Sequence, residues 1–563
     1  MNWRLLASAA FVLAGLCGKP AVGAEKTELV FQTPAKATYR VTADGLSEIS
    51  FKGRKIASGS WSVFNAERWF KNGGAGKVDA KKLISKSFRA LSADSARVVH
   101  ARGDIVCTAD YRFDGEDVLI STRIENNHPS EPMNIVGFSG LTFHFDRPCE
   151  GLTPVQHISY FQAHGTRLCH PGHWSKFGGS YAIDSQIGVG TSPWSTGLMR
   201  TLTLWDYSSW AQDKRAKDPN RRLIYFAVTP VTSRGAATVD FRLRVSPNRN
   251  WRHLLAPYKE HFARTFGPVT YKSDHRWIAT DYLNHSQKAV SPTNPYGFHG
   301  GHRRIDTDAG AQAFCKTIIG NLTAGGGQGV IVWGQGGDDP RAGMYRPDFD
   351  ILPPQVEARW GGIAEQFKKA GLKLGVCTRP RHIAVRATWG KDRIININPD
   401  DPGHRQMLWK RFENMIDKGC TLFYLDSFGS SFADVKLMRR LREKMGPDIL
   451  TFAEHQCDAI MVYSGGYSET SFSKGGKSNA QPHYRLWSGV RNWEIYQFLA
   501  PGSQMTSRLY QGARNIPESF QAPDDFFFSN RVTPLLPTGT KRRLAQMKTR
   551  QAKYVRDGKL IGR

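Results

Sequence analysis

The eight cysteines of this 563-residue chain include no Cys-x-x-Cys pair, which argues against a zinc ribbon or a thioredoxin-like redox centre. No Gly-x-Gly-x-x-Gly opens the first strand–helix unit, so a dinucleotide-binding start is not expected. Beyond the first 24 residues no apolar run is long enough to cross a bilayer as a helix. Zinc-finger, ribonucleoprotein-like and helix-turn-helix patterns are missing, and there is neither a solenoid repeat nor a low-complexity tract. Acidic residues are the scarce charge: 49 against 77 basic, for a net charge of +28. Such an excess favours an anionic partner. With nucleic-acid motifs absent, a sulfated or carboxylated polysaccharide is the expected partner, and no nucleic acid.

The amino terminus reads as a removable leader over residues 1–24. Arg4 supplies the basic start, residues 5–16 the apolar stretch, and Val22, Gly23 and Ala24 a small-residue cleavage site. The protein is therefore expected to be exported, periplasmic or extracellular, with no membrane span. Loss of Cys17 with the leader leaves an odd number of thiols, so at least one stays free. Cys149 and Cys169 flank a long loop and are candidates for a disulfide in an oxidising compartment.

A chain of this length implies more than one domain. Short alternating segments at 38–41, 47–51, 109–113, 118–125, 141–145, 223–228 and 238–245 recur between turn residues, with no long amphipathic helix among them. They predict a large antiparallel β-sandwich over 25–249. Leu254, Leu255, Tyr258, Phe262 and Phe266 recur at helical steps, which predicts a linker helix within 250–270, with Pro257 as an alternative start. From there strand and helix alternate. Strands are predicted at 277–282, 329–333, 372–377, 420–425 and 449–453, then at 459–463, within 493–499, and at 531–536. Helices fall at 309–322, 354–370, 403–418 and 432–445, and the basic tail 541–563 closes the ring. The prediction is a multidomain chain whose C-terminal part, 271–563, is a (β/α)8 TIM barrel. An open doubly wound sheet is the alternative.

Two strand ends carry the chemistry. The run Cys420-Thr421-Leu422-Phe423-Tyr424-Leu425 rises to Asp426, and Leu450-Thr451-Phe452-Ala453 rises to Glu454. A (β/α)8 barrel has its active site at the carboxyl ends of its strands. Two acids delivered there from neighbouring strands suit retaining glycoside hydrolysis, which needs a nucleophilic carboxylate and an acid/base about 5 Å apart. Asp426, short and rigidly held, is the expected nucleophile, and Glu454, longer, the acid/base. Glu469, in the following loop, is the rival acid. Other strand ends offer binding groups: Asp281, Trp333 and Gln335, the cationic set Arg379, Arg381 and His382 for a sulfate or carboxylate, then Tyr424 and His455. Capping by Asp426, a salt-bridged loop for the arginines and core packing for Trp333 and Tyr424 are the competing structural readings. Asp338, Asp339, Asp348 and Asp350 offer oxygens without EF-hand spacing. No metal and no cofactor are expected.

This order of parts, with Tyr-Leu-Asp on the fourth strand, resembles retaining glycoside hydrolases of the α-galactosidase type. The following Glu on strand five is similar to the endo-α-N-acetylgalactosaminidase family and its α-amylase-like relatives, as is Ile397-Asn398-Pro399-Asp400-Asp401-Pro402-Gly403. The resemblance implies a nucleophile at Asp426 and an acid/base at Glu454. Tyr424 stands where the amylase pattern has an arginine, which speaks against amylase-like substrates. The expected activity is hydrolysis of α-linked galactose-type residues, in a polysaccharide that carries anions. Alternatives are a non-catalytic polysaccharide-binding protein on a degenerate barrel, or a polysaccharide lyase.

Overall fold

The computed structural model describes residues 26–59, 66–70, 75–76, 85–145, 150–152, 179–193, 199–206, 221–284, 290–337, 349–384, 394–429, 432–455, 457–470, 492–509 and 520–562. The leader, Cys149, Cys169, Asp338, Asp339 and Asp348 lie outside these residues. Cys107, Cys315, Cys377, Cys420 and Cys457 are free and buried.

The first part is two antiparallel sheets. One runs in the order Glu28–Gln32, Ala37–Thr42, Gly45–Phe51, Arg54–Ser58, Met133–His144, Arg221–Val231 and Met199–Asp206, with Ala66–Phe70 also paired to Met133–His144. The other runs Glu150–Leu152, Ser180–Ile183, Gly188–Pro193, Gly235–Ser246, Asp117–Asn126, Ile105–Asp114, Ser95–Arg102 and Ser85–Ala90. Strand Ile105–Asp114 shows the cause: its residues alternate between buried and more exposed along its whole length, the period of a sheet with one wet face. Tyr39, Ile49 and Phe51 from the first sheet meet Tyr111, Phe113, Ile120 and Phe241 from the second in one core. Phe31 stacks on Phe113 with ring centroids 4.4 Å apart.

Helix α1 (Trp251–Phe266) follows, capped by the Asn250 side chain on Arg252 N–H at 3.0 Å. It does not start at Pro257, because the proline defect is repaired from outside. Pro257 has no N–H to offer the His253 carbonyl four residues back, and Arg244 from the sandwich donates to that oxygen at 2.9 Å instead. Arg244 is itself fixed by a two-pronged pair with Asp117 at 2.7 and 3.0 Å. Gly190 lets the helix lie on the sheet, since a β-carbon there would stand 2.3 Å from the Leu254 carbonyl oxygen.

The remainder is a closed barrel of eight parallel strands in sequence order: β1 (Ile278–Tyr282), β2 (Gly329–Trp333), β3 (Lys373–Thr378), β4 (Cys420–Leu425), β5 (Leu450–Ala453), β6 (Gly465–Thr470), β7 (Met505–Leu509) and β8 (Val532–Pro537). Helices α2 (Asp308–Gly325), α3 (Pro354–Lys369), α4 (Pro402–Asp417), α5 (Phe432–Met445), α6 (Asn492–Leu499), α7 (Pro523–Ser529) and α8 (Lys541–Gln551) lie between and after the strands. Two predicted strands are corrected. The predicted strand at 459–463 is instead a 3-10 helix, Asp458–Val462, ended by Tyr463, and the sixth strand follows it. Residues 493–499 lie in α6, and the seventh strand is β7. Ala459 through Val462 are buried throughout, so the segment is apolar at every position and its sequence shows no helical face. The tail is helical only to Gln551; Val555–Arg556 then pairs with Lys559–Leu560 as a hairpin.

The barrel interior is layered. Ile331 and Trp333 on β2, Leu422 and Tyr424 on β4, and Leu450 and Phe452 on β5 point into one inner cluster, two residues apart as a strand requires. The next inward positions beyond Trp333, Tyr424 and Phe452 are Gln335, Asp426 and Glu454. The fold thus carries these polar residues onto the upper rim of an apolar plug.

Candidate active site

Asp426 leaves β4 where the chain turns sharply. Its N–H donates to the Thr378 carbonyl of β3 at 2.8 Å, and the Thr378 hydroxyl donates to the Tyr424 carbonyl at 2.9 Å. Ser427 takes a left-handed backbone, φ 53°, which is strained for a residue with a β-carbon. That turn aims the Ser427 N–H at Glu454 Oε2, 2.7 Å away. Gly429, φ 113°, closes the turn, and any β-carbon there would lie 1.9 Å from the His455 carbonyl oxygen. The backbones after β4 and β5 are therefore locked together: Glu454 N–H donates to Leu425 O at 3.0 Å and His455 N–H to Phe428 O at 2.9 Å.

The side chains are held as tightly. Arg379 Nε donates to Asp426 Oδ2 at 2.7 Å. Asp426 and Glu454 keep 12% and 15% of their side-chain surface exposed, so both are reachable from the barrel mouth. Burial pushes the Glu454 carboxyl up to about 8, and the Asp426 charge, with a proton the two carboxyls are placed to share, pushes the same way. The Ser427 N–H and Tyr424 only partly oppose this. Burial and the neighbouring charge therefore favour the protonated form of Glu454 at neutral pH. His455 Nε2 lies 3.7 Å from Glu454 Oε2. Burial and the flanking Arg379 and Arg381 lower the His382 pKa, so His382 is neutral beside the two guanidinium groups.

The other sequence-predicted residues divide. Tyr424 is buried between Trp333 (5.2 Å) and Tyr467 (4.9 Å), directly beneath the acids. Trp333 is only 5% exposed and stacks on Tyr282 at 5.0 Å, so its ring forms the floor of the mouth. Gln335 is buried, its amide donating to the carbonyls of Phe349 and Cys377 at 3.1 and 3.4 Å. Arg381 does not join Arg379 at the acids; both its ends pair with Asp434 in the first turn of α5. Asp281 sits at the end of β1 and is held by His302 Nε2 at 2.8 Å and Arg303 Nε at 2.6 Å. Asp458, four residues after Glu454, accepts from the Tyr258 hydroxyl of α1 and is buried. Glu469 is not in a loop: it lies in β6, its backbone in register with Arg508 of β7, two residues beyond Tyr467.

Sequence reasoning missed Ser427, His302, Arg303 and Arg508. Arg508 lies over the Tyr282 ring, 5.1 Å from its centre, and donates to the Tyr282 hydroxyl. The signal for His302 and Arg303 was present in the basic run His302-Arg303-Arg304 after strand one, but nothing in the sequence joined it to Asp281. Among the described residues no cluster of His, Cys, Asp and Glu could hold a metal ion.

No protein-family model and no curated protein matches the sequence. Solved structures do match the fold. An α-N-acetylgalactosaminidase from Bifidobacterium bifidum, solved with GalNAc and ligand-free, aligns over 93% of this chain and 93% of its own, at 12% identity and a TM-score of 0.59. A GH36 α-galactosidase from Geobacillus stearothermophilus, in complex with 1-deoxygalactonojirimycin, aligns over 93% of this chain and 86% of its own, at 11% identity and a TM-score of 0.48. At such identity the likeness is one of fold: the chain shares with the bifidobacterial enzyme a sandwich joined to a (β/α)8 barrel over nearly its whole length.

Proposed function

We propose that the protein is a retaining glycoside hydrolase acting on α-linked galactose-type sugars. The observation that carries this reading is the Asp426–Glu454 pair: two carboxyls at neighbouring strand ends, one tied to Arg379, the other holding a proton to about pH 8. This is the charge state that the two-step mechanism begins from. Arg379 occupies Asp426 Oδ2, which leaves Oδ1 to attack the anomeric carbon. As the C1–Oδ1 bond forms, the C1–oxygen bond to the aglycone breaks and Glu454 gives its proton to the departing oxygen. Glu454, now a carboxylate, takes a proton from water as that water attacks C1 and releases Asp426. The galactose-type substrate is supported by the fold shared with the bifidobacterial enzyme solved with GalNAc. Export is supported by the leader pattern at residues 1–24, and an anionic polysaccharide substrate by the net charge of +28.

One observation favours a second assignment of the acid. The raised Glu454 faces Asp426 closely enough to share its proton, whereas a sugar must fit between nucleophile and acid. Glu469, at the carboxyl end of β6, then takes the acid role and Glu454 orients Asp426. Trapping with a 2-deoxy-2-fluoro-galactosyl fluoride and peptide mass spectrometry tests the core of the proposal: the label is expected on Asp426, and a label on another residue, or an inverted product by NMR, removes it. Glu454→Gln and Glu469→Gln decide the acid. The true acid variant keeps its glycosylation rate on aryl glycosides with activated leaving groups, turns over slowly in water, and is restored by azide with a glycosyl azide as product.

A further inference from the structure

The opposite end of the barrel holds a cavity that this chemistry does not use. It has a volume of about 520 Å3, within the size range of small-ligand sites. Its walls come from α1, α6, the end of α7 and the C-terminal hairpin. Arg531, on its rim, immediately precedes β8, so the cavity opens at the amino ends of the strands, away from Asp426 and Glu454.

We propose that this cavity is a second saccharide site, one that takes a sulfate- or carboxylate-bearing sugar unit of a polysaccharide. Three cations reach it from two separate elements: Arg252 and Lys259 on α1, and Arg531 ahead of β8, with Glu494 as the one carboxylate among the described lining residues. None of the three cations forms an ion pair among the described residues. Two are propped by aromatic rings rather than neutralised by acids: Arg252 lies 4.4 Å from the centre of the Trp251 ring and Lys259 4.6 Å from that of Phe498. A cation–π contact fixes a cation while leaving its charge available. Arg531 adopts φ 62°, a conformation that glycine takes without strain and arginine does not. Its backbone is clamped there, with N–H on Phe528 O at 2.9 Å and its carbonyl on the Gln497 amide at 3.2 Å. A strained arginine held at the rim of an anion-ready cavity is explained by a ligand that needs the guanidinium. The site is a single concavity rather than the basic track with base-stacking platforms that single-stranded nucleic acid requires. The choice of a glycan among anions rests on the glycosidase reading.

The test uses the full-length Asp426→Asn protein, so that no probe is consumed, and measures affinity by calorimetry. The probes are a sulfated galactan oligosaccharide, a polygalacturonate oligosaccharide, a neutral galacto-oligosaccharide and a single-stranded oligonucleotide. At least one acidic glycan is expected to bind more tightly than the neutral one, and the two acidic probes show which anion is taken. Arg252→Ala with Lys259→Ala is expected to weaken that binding at least tenfold. Arg531→Gly is expected to weaken it several-fold with no fall in thermal midpoint, because glycine suits the backbone there. In the unsubstituted background both variants keep the wild-type rate on a small neutral aryl galactoside. Unchanged affinity in these variants, equal binding of the neutral glycan, or oligonucleotide binding that falls in step with glycan binding each overturns the proposal. A protein inactive on every α-galactoside removes the glycosidase reading and leaves this measurement standing.

Discussion

The two ends of the barrel treat buried acid in opposite ways. At the floor, the Asp274 side chain is 12% exposed, the same as Asp426 at the mouth. Asp274 receives Arg276 on both oxygens, at 3.0 and 2.6 Å, and Lys373, from the start of β3, at 2.7 Å. These cations outweigh burial and hold its carboxyl below the ordinary range. Gln328 and Gln504 fill the space around its backbone. At the mouth, Asp426 has one guanidinium on one oxygen, and its neighbour Glu454 is pushed to about 8. Equal burial therefore does not decide what a carboxyl does. At the floor both carboxylate oxygens have a cation and the group serves structure. At the mouth one oxygen and one proton are left over, and these are what a reaction can use.

The sharpest way to break this contrast is at Asp426. Asp426→Asn is expected to lower kcat/KM by at least about 10^4-fold, more than ~5 kcal/mol of barrier. It also removes a charge that raises Glu454, so the Glu454 carboxyl falls from about 8 toward its usual range. Carbon-detected NMR titration of the carboxyl reads this directly, and an unmoved Glu454 would mean that burial alone sets it. Glu454→Gln comes next, with a loss of about 10^3-fold on substrates with poor leaving groups. A proton-donating Glu454 makes activity fall as pH rises through about 8, and Gln abolishes that limb; a limb that survives belongs to another acid. Stability follows the same group. Its folded pKa is raised, so its contribution is full below about 4.5 and is lost as pH rises through about 8. The Gln variant should lose that part of the decline between about pH 4.5 and about pH 8 in a urea midpoint series.

Much of the mouth was legible because its signals are local. An apolar run ending in an acid, twice, with a helix-length segment between, located β4, α5 and β5, and with them Asp426 and Glu454. The partners were not legible, because they come from distant segments. Arg379 and Arg381 are two residues apart, yet one meets Asp426 and the other Asp434. Asp281 and its holders His302 and Arg303 are joined only by folding. The sixth and seventh strands were misplaced for a related reason. Residues 459–462 of the buried 3-10 turn are apolar at every position, as a buried strand is, and periodicity cannot separate the two. The floor was invisible: Asp274, Gln328, Lys373 and Gln504 are scattered polar residues with no common pattern.

A smaller effect tests the floor. Asp274→Asn leaves Arg276 and Lys373 without their shared anion. Removing one partner of a fully buried pair costs about 3–5 kcal/mol. Arg276 and Lys373 retain 34% and 24% of their side-chain exposure, so water takes over part of the role and a loss of about 2 kcal/mol is expected. The wild-type contribution is present above the unfolded pKa near 4 and disappears as pH falls through the lowered folded value. The variant is therefore expected to have a lower denaturant midpoint at neutral pH, with the difference shrinking in acid, and an unchanged pH profile of activity. A shifted profile would show that the two ends of the barrel are coupled.

The smallest expected effect separates the causes that the comparison mixes. Asp274 combines burial with cations, and Glu454 combines burial with an anion. Asp458 has neither charge as a main influence: burial raises it to about 6, against the Tyr258 hydroxyl and the Ala459 N–H at 2.9 Å, which pull it down. Its raised folded pKa means that its contribution to stability is complete below about 3.8 and is lost as pH rises through about 6. Asp458→Asn keeps an acceptor for Tyr258 and has no charge to bury. The variant should lose the wild-type change in denaturant midpoint between pH 4 and pH 7. Parallel curves for the two proteins would mean that the Asp458 site is wet enough to carry its charge freely. The linker helix and the loop behind Glu454 would then meet through a solvated contact, and burial would lose its standing as the common cause at all three carboxyls.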